Sequence, residues 1–390
     1  MKLVERHIIR NNHRFYQEID RLCWLSKNLY NYANYLIRQS FIFEGIYRPY
    51  NELQKSLQGS ECYQAIPAKV SQQILMVLDR NWRSFFEANG AYQEQPDKFK
   101  GRPKLPKYKK KETGRNLLVY TVQAISKRQL KQGIINPSKT EIYLKTKVEP
   151  SKIKQVRIVP RLNHYVIEVI YETEPQQYQL EENRIASIDL GLNNLATLTF
   201  NQAGIKPLLV NGRPLKSLNQ YYNKARGLLQ SIVGENQSSR KLKKLCHKRE
   251  LKINDYLHKA SRLIINTLIK QRIGTLVIGQ NQEWKQSINL GKKNNQNFVH
   301  IPHNKLIEML SYKAEMAGIK VILNEESYTS KASFIDKDPI PVYKKDSKNL
   351  STFSGKRVKR GLYRTDSGRL VNADVNGSLN IMRKAAPFCL

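Results

Sequence analysis

Residues 185–199 contain the feature that most limits how this chain can fold: a single carboxylate, Asp189, inside an otherwise apolar strand pattern. Gly191 follows, and a second apolar strand pattern begins after it. A carboxylate in a buried strand is costly unless it is paired or binds a metal ion. Near the C-terminus, Asp374 stands at the predicted start of a short helix, where an acid would also suit a helix cap. The two acids together indicate a metal-dependent site built from distant parts of the sequence.

The charge balance indicates a polyanionic partner. The chain has 67 Lys and Arg residues against 32 Asp and Glu residues, a formal net charge of +35. The basic residues are spread along the sequence rather than confined to a tail, which is typical of proteins that neutralise nucleic acid. No apolar run is long enough to span a bilayer, and no signal peptide is recognisable. The four cysteines are scattered without a Cys-x-x-Cys pair, so we expect a cytoplasmic protein without a disulfide framework.

The periodicity of apolar residues predicts two architectures in one chain. Helical spacing appears over residues 15–40 and 68–88, and alternating strand patterns appear over 2–9, 117–122, 141–144, 153–159 and 165–171. We therefore predict a small β-barrel from residues 1–14 and 97–175, with a helical subdomain of residues 15–96 inserted into it. After a polar stretch at 172–184, strands and helices alternate, which predicts an α/β domain over residues 184–390 with one mixed sheet. The predicted fold class is α/β plus β.

Three motifs resemble those of the TnpB family, which are RNA-guided DNA nucleases encoded by insertion sequences and related to type V CRISPR effectors. Residues 187–197, Ser-Ile-Asp-Leu-Gly-Leu-Asn-Asn-Leu-Ala-Thr, resemble the first RuvC motif of that family, and residues 374–381 resemble the third. Residues 327–331 resemble the Tyr-Thr-Ser entry to its zinc ribbon. The resemblance implies an RNase H-like (RuvC) nuclease domain after a β-barrel (wedge) domain with an inserted recognition subdomain. It also implies a prokaryotic, nucleoid-associated protein.

Two positions depart from the family pattern. The strand pattern at 275–278 ends on Gly279, where most members carry the second catalytic glutamate. Ala332 stands where the first zinc-ribbon cysteine is expected, and no Cys-x-x-Cys follows. We therefore expect residues 327–370 to form a degenerate zinc-ribbon-like insertion that holds no zinc.

The missing glutamate leaves two hypotheses. The site is either inactive, or the glutamate has moved to the end of the strand pattern at 320–324, which should lie beside 275–278 in an RNase H-like sheet. A subset of TnpB-like proteins carries such a rearranged acid, and the spacing of Glu326 from Tyr328-Thr329-Ser330 matches that subset. Glu325 is the second choice, and Glu283 would lie in a loop. Because Asp189 and Asp374 are both present, we favour the active enzyme.

The resemblance implies that Asp189, Glu326 and Asp374 coordinate Mg²⁺, with two ions expected, and cleave a phosphodiester by activating water. Its expected partners are a guide RNA derived from the element's own transcript and a target DNA with a short flanking motif, with no membrane involved. The rival functions are a nuclease-inactive, RNA-guided DNA-binding repressor and a transposon DNA-binding accessory protein that needs no guide.

Clusters of basic residues are the predicted nucleic-acid contacts. A Pro- and Lys-rich segment at 99–111 should form no stable helix, and its Phe99 and Tyr108 are candidate stacking residues. The candidate phosphate contacts are Lys104, Lys107, Lys109, Lys110, Lys111, Lys154, Arg157, Lys331, Lys356, Arg357, Lys359, Arg360 and Arg364. A predicted helical pair at 218–233 and 239–271 also has a dense basic face, with no assigned role.

Overall fold

The computed structural model describes residues 1–234, 237–280, 301–341, 352–359 and 361–386. The chain divides into two units, Met1–Thr173 and Glu174–Leu390. Within the described ranges, no helix is both long and apolar enough to cross a membrane.

The first unit contains a four-stranded antiparallel sheet. Its strands are β1 (Lys2–Arg10), β2 (Leu118–Thr121), β5 (Ile153–Pro160) and β6 (His164–Glu172), in the order β1-β6-β5-β2. Two short strands, β3 (Ile134–Ile135) and β4 (Leu144–Lys145), pair separately. The strand predicted at 141–144 is therefore wrong except for Leu144. In the described part of the first unit, β1 and β2 are the two edges of the larger sheet, so the closed barrel stays a prediction.

The helices of the first unit pack into the same core as its sheet. They are α1 (Tyr16–Gln39), α2 (Tyr50–Leu57), α3 (Glu61–Gln64), α4 (Ala68–Glu94) and α5 (Lys127–Lys131). The predicted long helices correspond to α1 and α4, whose contact centres on the fully buried Trp82. The Trp82 indole Nε1 donates a hydrogen bond to Asn34 Oδ1 on α1 at 3.0 Å, so this ring is buried without leaving its donor unsatisfied.

The second unit is built on a mixed five-stranded sheet. Its strands are β7 (Glu181–Asp189), β8 (Asn194–Phe200), β9 (Leu208–Asn211), β10 (Ile273–Gly279) and β11 (Lys320–Asn324), in the order β11-β10-β7-β8-β9. β7, β8 and β9 are antiparallel neighbours, whereas β10 runs parallel to both β7 and β11. The predicted adjacency of the strands at 275–278 and 320–324 is confirmed, and the unit is α/β as expected.

Helices cover both faces of this sheet. They are α6 (Arg213–Val233), α7 (Arg240–Lys270), α8 (His303–Met316) and α9 (Ala373–Ala385). Because successive strand residues point to opposite faces, Ala186 and Ile188 enter the core shared with α6, α7 and α8, whereas Ile185 packs with Ile381 of α9. A small antiparallel sheet of β12 (Lys356–Lys359), β13 (Leu362–Arg364) and β14 (Leu370–Asn372) leads into α9.

A cluster of buried hydroxyl groups fixes α9 on the sheet. Ser187 Oγ on β7 lies 2.9 Å from Thr199 Oγ1 on β8 and donates to the Ser378 carbonyl of α9 at 2.7 Å. Ser378 Oγ in turn donates to the Ser187 carbonyl at 3.0 Å and lies 2.9 Å from Thr199 Oγ1. All three side chains are almost completely buried, so each depends on the other two for hydrogen bonds.

We expect Ser378→Ala to lower the free energy of unfolding by about 1–3 kcal/mol, because it leaves two buried hydroxyls with fewer partners. Urea denaturation of the purified protein measures the change. Ser231→Ala on the exposed side of α6 is the matched control and should change stability by less than about 0.5 kcal/mol. Equal effects of the two substitutions would contradict the role given to the cluster.

Candidate functional site

Asp189 is the last residue of β7 and lies on the α9 face of the sheet. Its carboxylate approaches α9 so closely that a Cβ atom on Gly377 would lie 3.0 Å from Asp189 Oδ2. Glycine at 377 therefore lets the helix and the carboxylate come together. The loop after Asp189 is held from the other side of the sheet, where His303 Nε2 at the start of α8 lies 3.0 Å from the Gly191 carbonyl oxygen.

Glu326 reaches the space that a side chain at residue 279 would fill. Gly279 ends β10 and is paired in register with Asn324, the last residue of β11, two residues before Glu326. A Cβ atom on Gly279 would lie 2.7 Å from Glu326 Oε2. The following turn fixes the Glu326 backbone, because Thr329 Oγ1 donates to the Glu326 carbonyl at 2.7 Å and Tyr328 adopts a left-handed conformation (φ 65°).

Asp374 lies in the first turn of α9. Asn372 caps this helix, and its side-chain oxygen accepts from the backbone N–H groups of Asp374 and Val375 at 3.0 and 3.1 Å. The Asp374 carboxylate accepts from Asn194 Nδ2 at 2.8 Å, which ties it to the start of β8. Its other oxygen accepts from an Arg357 guanidinium nitrogen at 3.2 Å.

The three carboxylates influence one another electrostatically. Burial, together with the nearby negative charges of Glu326 and Asp374, raises the pKa of Asp189 to about 8. Burial also raises the pKa of Glu326 to about 7, with a contribution from Glu325. A site that disfavours its own negative charge in this way is typical of a functional centre, and it gains from a cation that neutralises the carboxylates.

Glu325 points to a different partner. Its carboxylate forms an ion pair with Lys384 on α9 and accepts from the Ser327 backbone N–H at 2.7 Å. Burial opposes its ionisation, but these hydrogen bonds prevail and lower its pKa. Of the two neighbouring glutamates, Glu326 is therefore the one that the structure places beside Asp189. Glu283, the third alternative, lies outside the described residues.

The carboxylates of Asp189, Glu326 and Asp374 provide the oxygen ligands that a hard divalent cation prefers. Their side chains are not close enough together to coordinate one ion. Within the parts of the chain that the structure describes, no three Asp, Glu, His or Cys side chains are close enough to hold a metal ion as they stand. Oxygen donors are what Mg²⁺ prefers, and the space above Gly279 admits the Glu326 carboxylate. Asp189, Glu326 and Asp374 therefore stay the predicted ligands of such an ion.

Several supporting residues escaped prediction from the sequence. Asn376 Nδ2 and Asn380 Nδ2 donate to the Ala332 carbonyl at 2.8 and 2.7 Å, which attaches the segment after Glu326 to α9. Asn194 contacts Asp374 directly. The recurrence of asparagine at 372, 376 and 380, one per helical turn, was the available signal that one face of this helix makes polar contacts.

Comparison with known proteins matches both halves of the second unit. Residues 168–285 match the family model OrfB_IS605, described as a probable transposase, and residues 303–381 match the Cas12f1-like TNB domain. The TnpB-like protein ORF457 of Acidianus two-tailed virus is 25% identical over 95% of this chain and 83% of its own length. The CRISPR-associated endodeoxyribonuclease Cas12f1 of Sulfoacidibacillus thermotolerans is 26% identical over 57% of this chain and 50% of its own length.

These matches show that the chain is similar to TnpB and Cas12f proteins. The matched region spans half of the Cas12f1 relative. Among solved structures, a cryo-EM structure of a Cas12f1-sgRNA-target DNA complex aligns over 97% of this chain and 98% of its own, with a TM-score of 0.38 and 15% identity. An AacC2c1-sgRNA-extended non-target DNA ternary complex aligns over 87% of this chain and 62% of its own, with a TM-score of 0.47 and 8% identity.

The basic segment at 99–111 is held against α1 by its backbone. Asn31 exchanges two hydrogen bonds of 2.9 Å with the backbone of Lys109, and Lys27 Nζ donates to the Lys111 carbonyl at 2.8 Å. The segment has no helix, as predicted. Five of the predicted contacts lie on it, with exposed side chains: Lys104, Lys107, Lys109, Lys110 and Lys111. Arg38 stacks on the Tyr108 ring at 5.0 Å, which occupies one face of that predicted stacking residue.

The remaining predicted contacts differ in their surroundings. Lys154 pairs with Glu172 at 3.0 Å and Arg157 with the buried Glu168 at 2.7 Å, so both already have carboxylate partners. The exposed cations Lys331, Lys356, Lys359 and Arg364 lie around the small sheet before α9. Arg357 is part of the acidic site itself, and Arg360 lies outside the described residues.

A Ser–Asp clasp stands where the family resemblance would put a zinc ribbon. We use this name for Ser333, Asp336, Asp338 and Ser354. Asp338 Oδ2 accepts from the backbone N–H groups of Ser333 and Ser354 at 2.7 and 3.2 Å. Asp336 Oδ2 accepts from both serine hydroxyls, at 2.5 and 3.2 Å, and from the Asp366 backbone N–H at 3.0 Å. Hydrogen bonds therefore join these segments, and the clasp contains none of the cysteine or histidine ligands that structural zinc sites use.

We expect Asp338→Ala to lower the free energy of unfolding by about 1–3 kcal/mol, because it leaves the buried Ser333 N–H group unsatisfied. Asp366→Ala, an exposed aspartate that contributes only its backbone to the clasp, is the control and should be near neutral. Thermal denaturation of the two variants measures the difference.

Thermal denaturation of the unsubstituted protein with and without a strong zinc chelator tests whether zinc contributes to its stability. The chelator should leave the melting temperature unchanged, and a marked decrease would contradict the clasp.

Proposed function

We propose that this protein is an RNA-guided, Mg²⁺-dependent DNA endonuclease of an insertion sequence, with a RuvC-type site formed by Asp189, Glu326 and Asp374. The main support is the position of the Glu326 carboxylate, which lies in the space above Gly279. Most TnpB proteins carry the second catalytic glutamate at the position of Gly279. Support for the activity comes from the relatives, of which Cas12f1 is named an endodeoxyribonuclease and ORF457 a TnpB-like protein.

The chemistry follows from the residues that converge on the site. Bound Mg²⁺ would activate a water molecule and neutralise charge that develops on the phosphate. Asp189 and Glu326 would hold the ions between β7 and the end of β11, and Asp374 would complete the ligand set from α9. Asn194 orients the Asp374 carboxylate through its 2.8 Å hydrogen bond. Arg357, which lies beside Asp374, is suited to contact the phosphate once a cation takes over the neutralisation of that acid.

The proposed partners are a guide RNA from the element's own transcript and a DNA target with a short flanking motif. A net charge of +35 suits a protein that carries a long polyanion. The exposed lysines at 104–111 lie on a backbone that is already fixed to α1. The backbone therefore loses little conformational entropy when phosphates bind.

A second candidate function is an RNA-guided DNA-binding repressor without nuclease activity. The ion pair between Arg357 and Asp374 favours it, because a guanidinium can substitute for a metal ion as the permanent partner of that acid. The absence, in the described ranges, of a ready ligand set for a metal also favours it. Binding of Mg²⁺ and cleavage of guide-matched DNA separate the two candidates.

Glu326→Gln should lower the rate of guide-dependent DNA cleavage by more than about a hundredfold, because even residues that only support metal ligands cost 10–100-fold. Cleavage of a guide-matched DNA by the purified ribonucleoprotein is the measurement. Glu325→Gln is the matched control, since that neighbour pairs with Lys384, and it should keep most of the activity. Unimpaired cleavage by Glu326→Gln would exclude the relocated glutamate, and RNA-dependent DNA binding without cleavage by the native protein would favour the repressor.

Affinity for Mg²⁺ should rise with pH between about pH 6 and pH 8.5. The pKa values of Asp189 and Glu326 are raised to about 8 and about 7, so both carboxyl groups are partly protonated near neutrality and must lose protons when a cation binds. Isothermal titration of Mg²⁺ in two buffers of different ionisation enthalpy measures the released protons. Proton release should be largest near pH 7 and vanish in Asp189→Asn combined with Glu326→Gln. Affinity independent of pH would contradict this assignment.

A further inference from the structure

A groove between α6 and α7 combines aromatic, apolar and cationic groups. It has a volume of about 620 Å³. Leu215 and Leu218 of α6 and Leu245 of α7 form its apolar part. Lys248, Arg249 and Lys252 line the α7 side, and no acidic side chain is among the described residues that line it. Its chemistry therefore suits a ligand with both anionic and flat apolar parts.

One cation of the groove, Arg249, is held in place by its neighbours. Arg249 Nε donates to Asn219 Oδ1 at 2.8 Å, and its guanidinium lies 4.8 Å from the centre of the Tyr222 ring. Asn219 is almost completely buried, so the arginine is anchored to the core of the hairpin. Lys248 and Lys252 are exposed and one helical turn apart, about 6 Å along the axis, which presents two charges in a row on the rim.

Tyr221 gives the groove an accessible aromatic ring. Its side chain is 65% exposed, whereas Leu215 on the same helix is 2% exposed. A tyrosine this exposed contributes little to the core of its own unit, but it can stack on a nucleobase that is not paired in a duplex. Tyrosine stacking beside a line of cations is the usual way in which proteins bind single-stranded nucleic acid.

The groove lies on the opposite face of the sheet from the acidic site. Leu215 belongs to the core that receives Ala186 and Ile188, whereas α9 packs on the other face with Ile185. Because a strand seated between α6 and α7 is not the strand presented to Asp189, we assign the groove to the RNA rather than to the DNA that is cut. We propose that it binds an unpaired segment of the guide RNA, with a base on Tyr221 and backbone phosphates on Lys248 and Lys252. This proposal rests on the proposed function.

Photocrosslinking tests the proposal directly. The photoreactive residue p-benzoylphenylalanine, placed at Tyr221 in the full ribonucleoprotein, should crosslink to a discrete nucleotide of the co-purified RNA. Crosslinking to the target DNA instead, or to neither strand, would overturn the assignment. If no RNA co-purifies, the proposed function fails together with the groove. Guide-dependent cleavage without a crosslink at Tyr221 overturns the groove alone.

Substitutions give an independent measurement of the same contact. Tyr221→Ala should weaken binding of the guide RNA about tenfold. Lys248→Gln with Lys252→Gln should lower the slope of log affinity against log salt by about 1.4, which corresponds to two phosphate contacts on a single strand. Lys241→Gln with Lys244→Gln removes the same charge from exposed positions of α7 outside the groove and should change the slope less. Equal losses from the two lysine pairs, with no effect of Tyr221→Ala, would show diffuse charge attraction and overturn the groove.

Discussion

The close packing of α9 against β7 is the interaction on which the candidate site depends. Gly377 allows the helix to approach until a Cβ atom there would lie 3.0 Å from Asp189 Oδ2, and the buried hydroxyls of Ser187, Thr199 and Ser378 fix the helix at that position. Asp374, which is 185 positions from Asp189 in the sequence, thereby comes close enough for its charge to raise the pKa of Asp189. A methyl group at 377 or the loss of the hydroxyl cluster would disturb this arrangement without removing any carboxylate.

The position of the third acid follows from strand register. β10 and β11 are parallel neighbours that end together at Gly279 and Asn324, so a side chain just beyond β11 can reach across the end of β10. A glycine at 279 leaves this space open, and the turn closed by Thr329 directs Glu326 into it. A Cβ at residue 279 would lie 2.6 Å from Ile381 Cδ1 and 2.7 Å from Glu326 Oε2, so a side chain there would require both side chains to shift. Glycine at 279 thus permits the observed position of the Glu326 carboxylate.

Much of the second unit could be predicted from the sequence because its signals are local. Apolar runs predicted β7, β8, β10 and β11, and the start of the last helix was predicted near Asp374, although the residue that caps this helix is Asn372 rather than Asp374. Pairings between individual side chains of separate strands could not be predicted. Arg157 faces the buried Glu168 across the β5–β6 pair, and Arg357 reaches Asp374 only through the small sheet before α9. The Ser–Asp clasp was missed for the same reason, since no spacing rule identifies hydrogen bonds between separate loops.

Anomalous diffraction from crystals of the protein soaked in Mn²⁺, which substitutes for Mg²⁺ at oxygen ligands, is the most direct test of the metal site. We predict anomalous peaks in contact with carboxylate oxygens of Asp189, Glu326 and Asp374, with Arg357 moved away from Asp374. Well-ordered crystals that show no peak there, or a peak coordinated without Glu326, would contradict the proposed site.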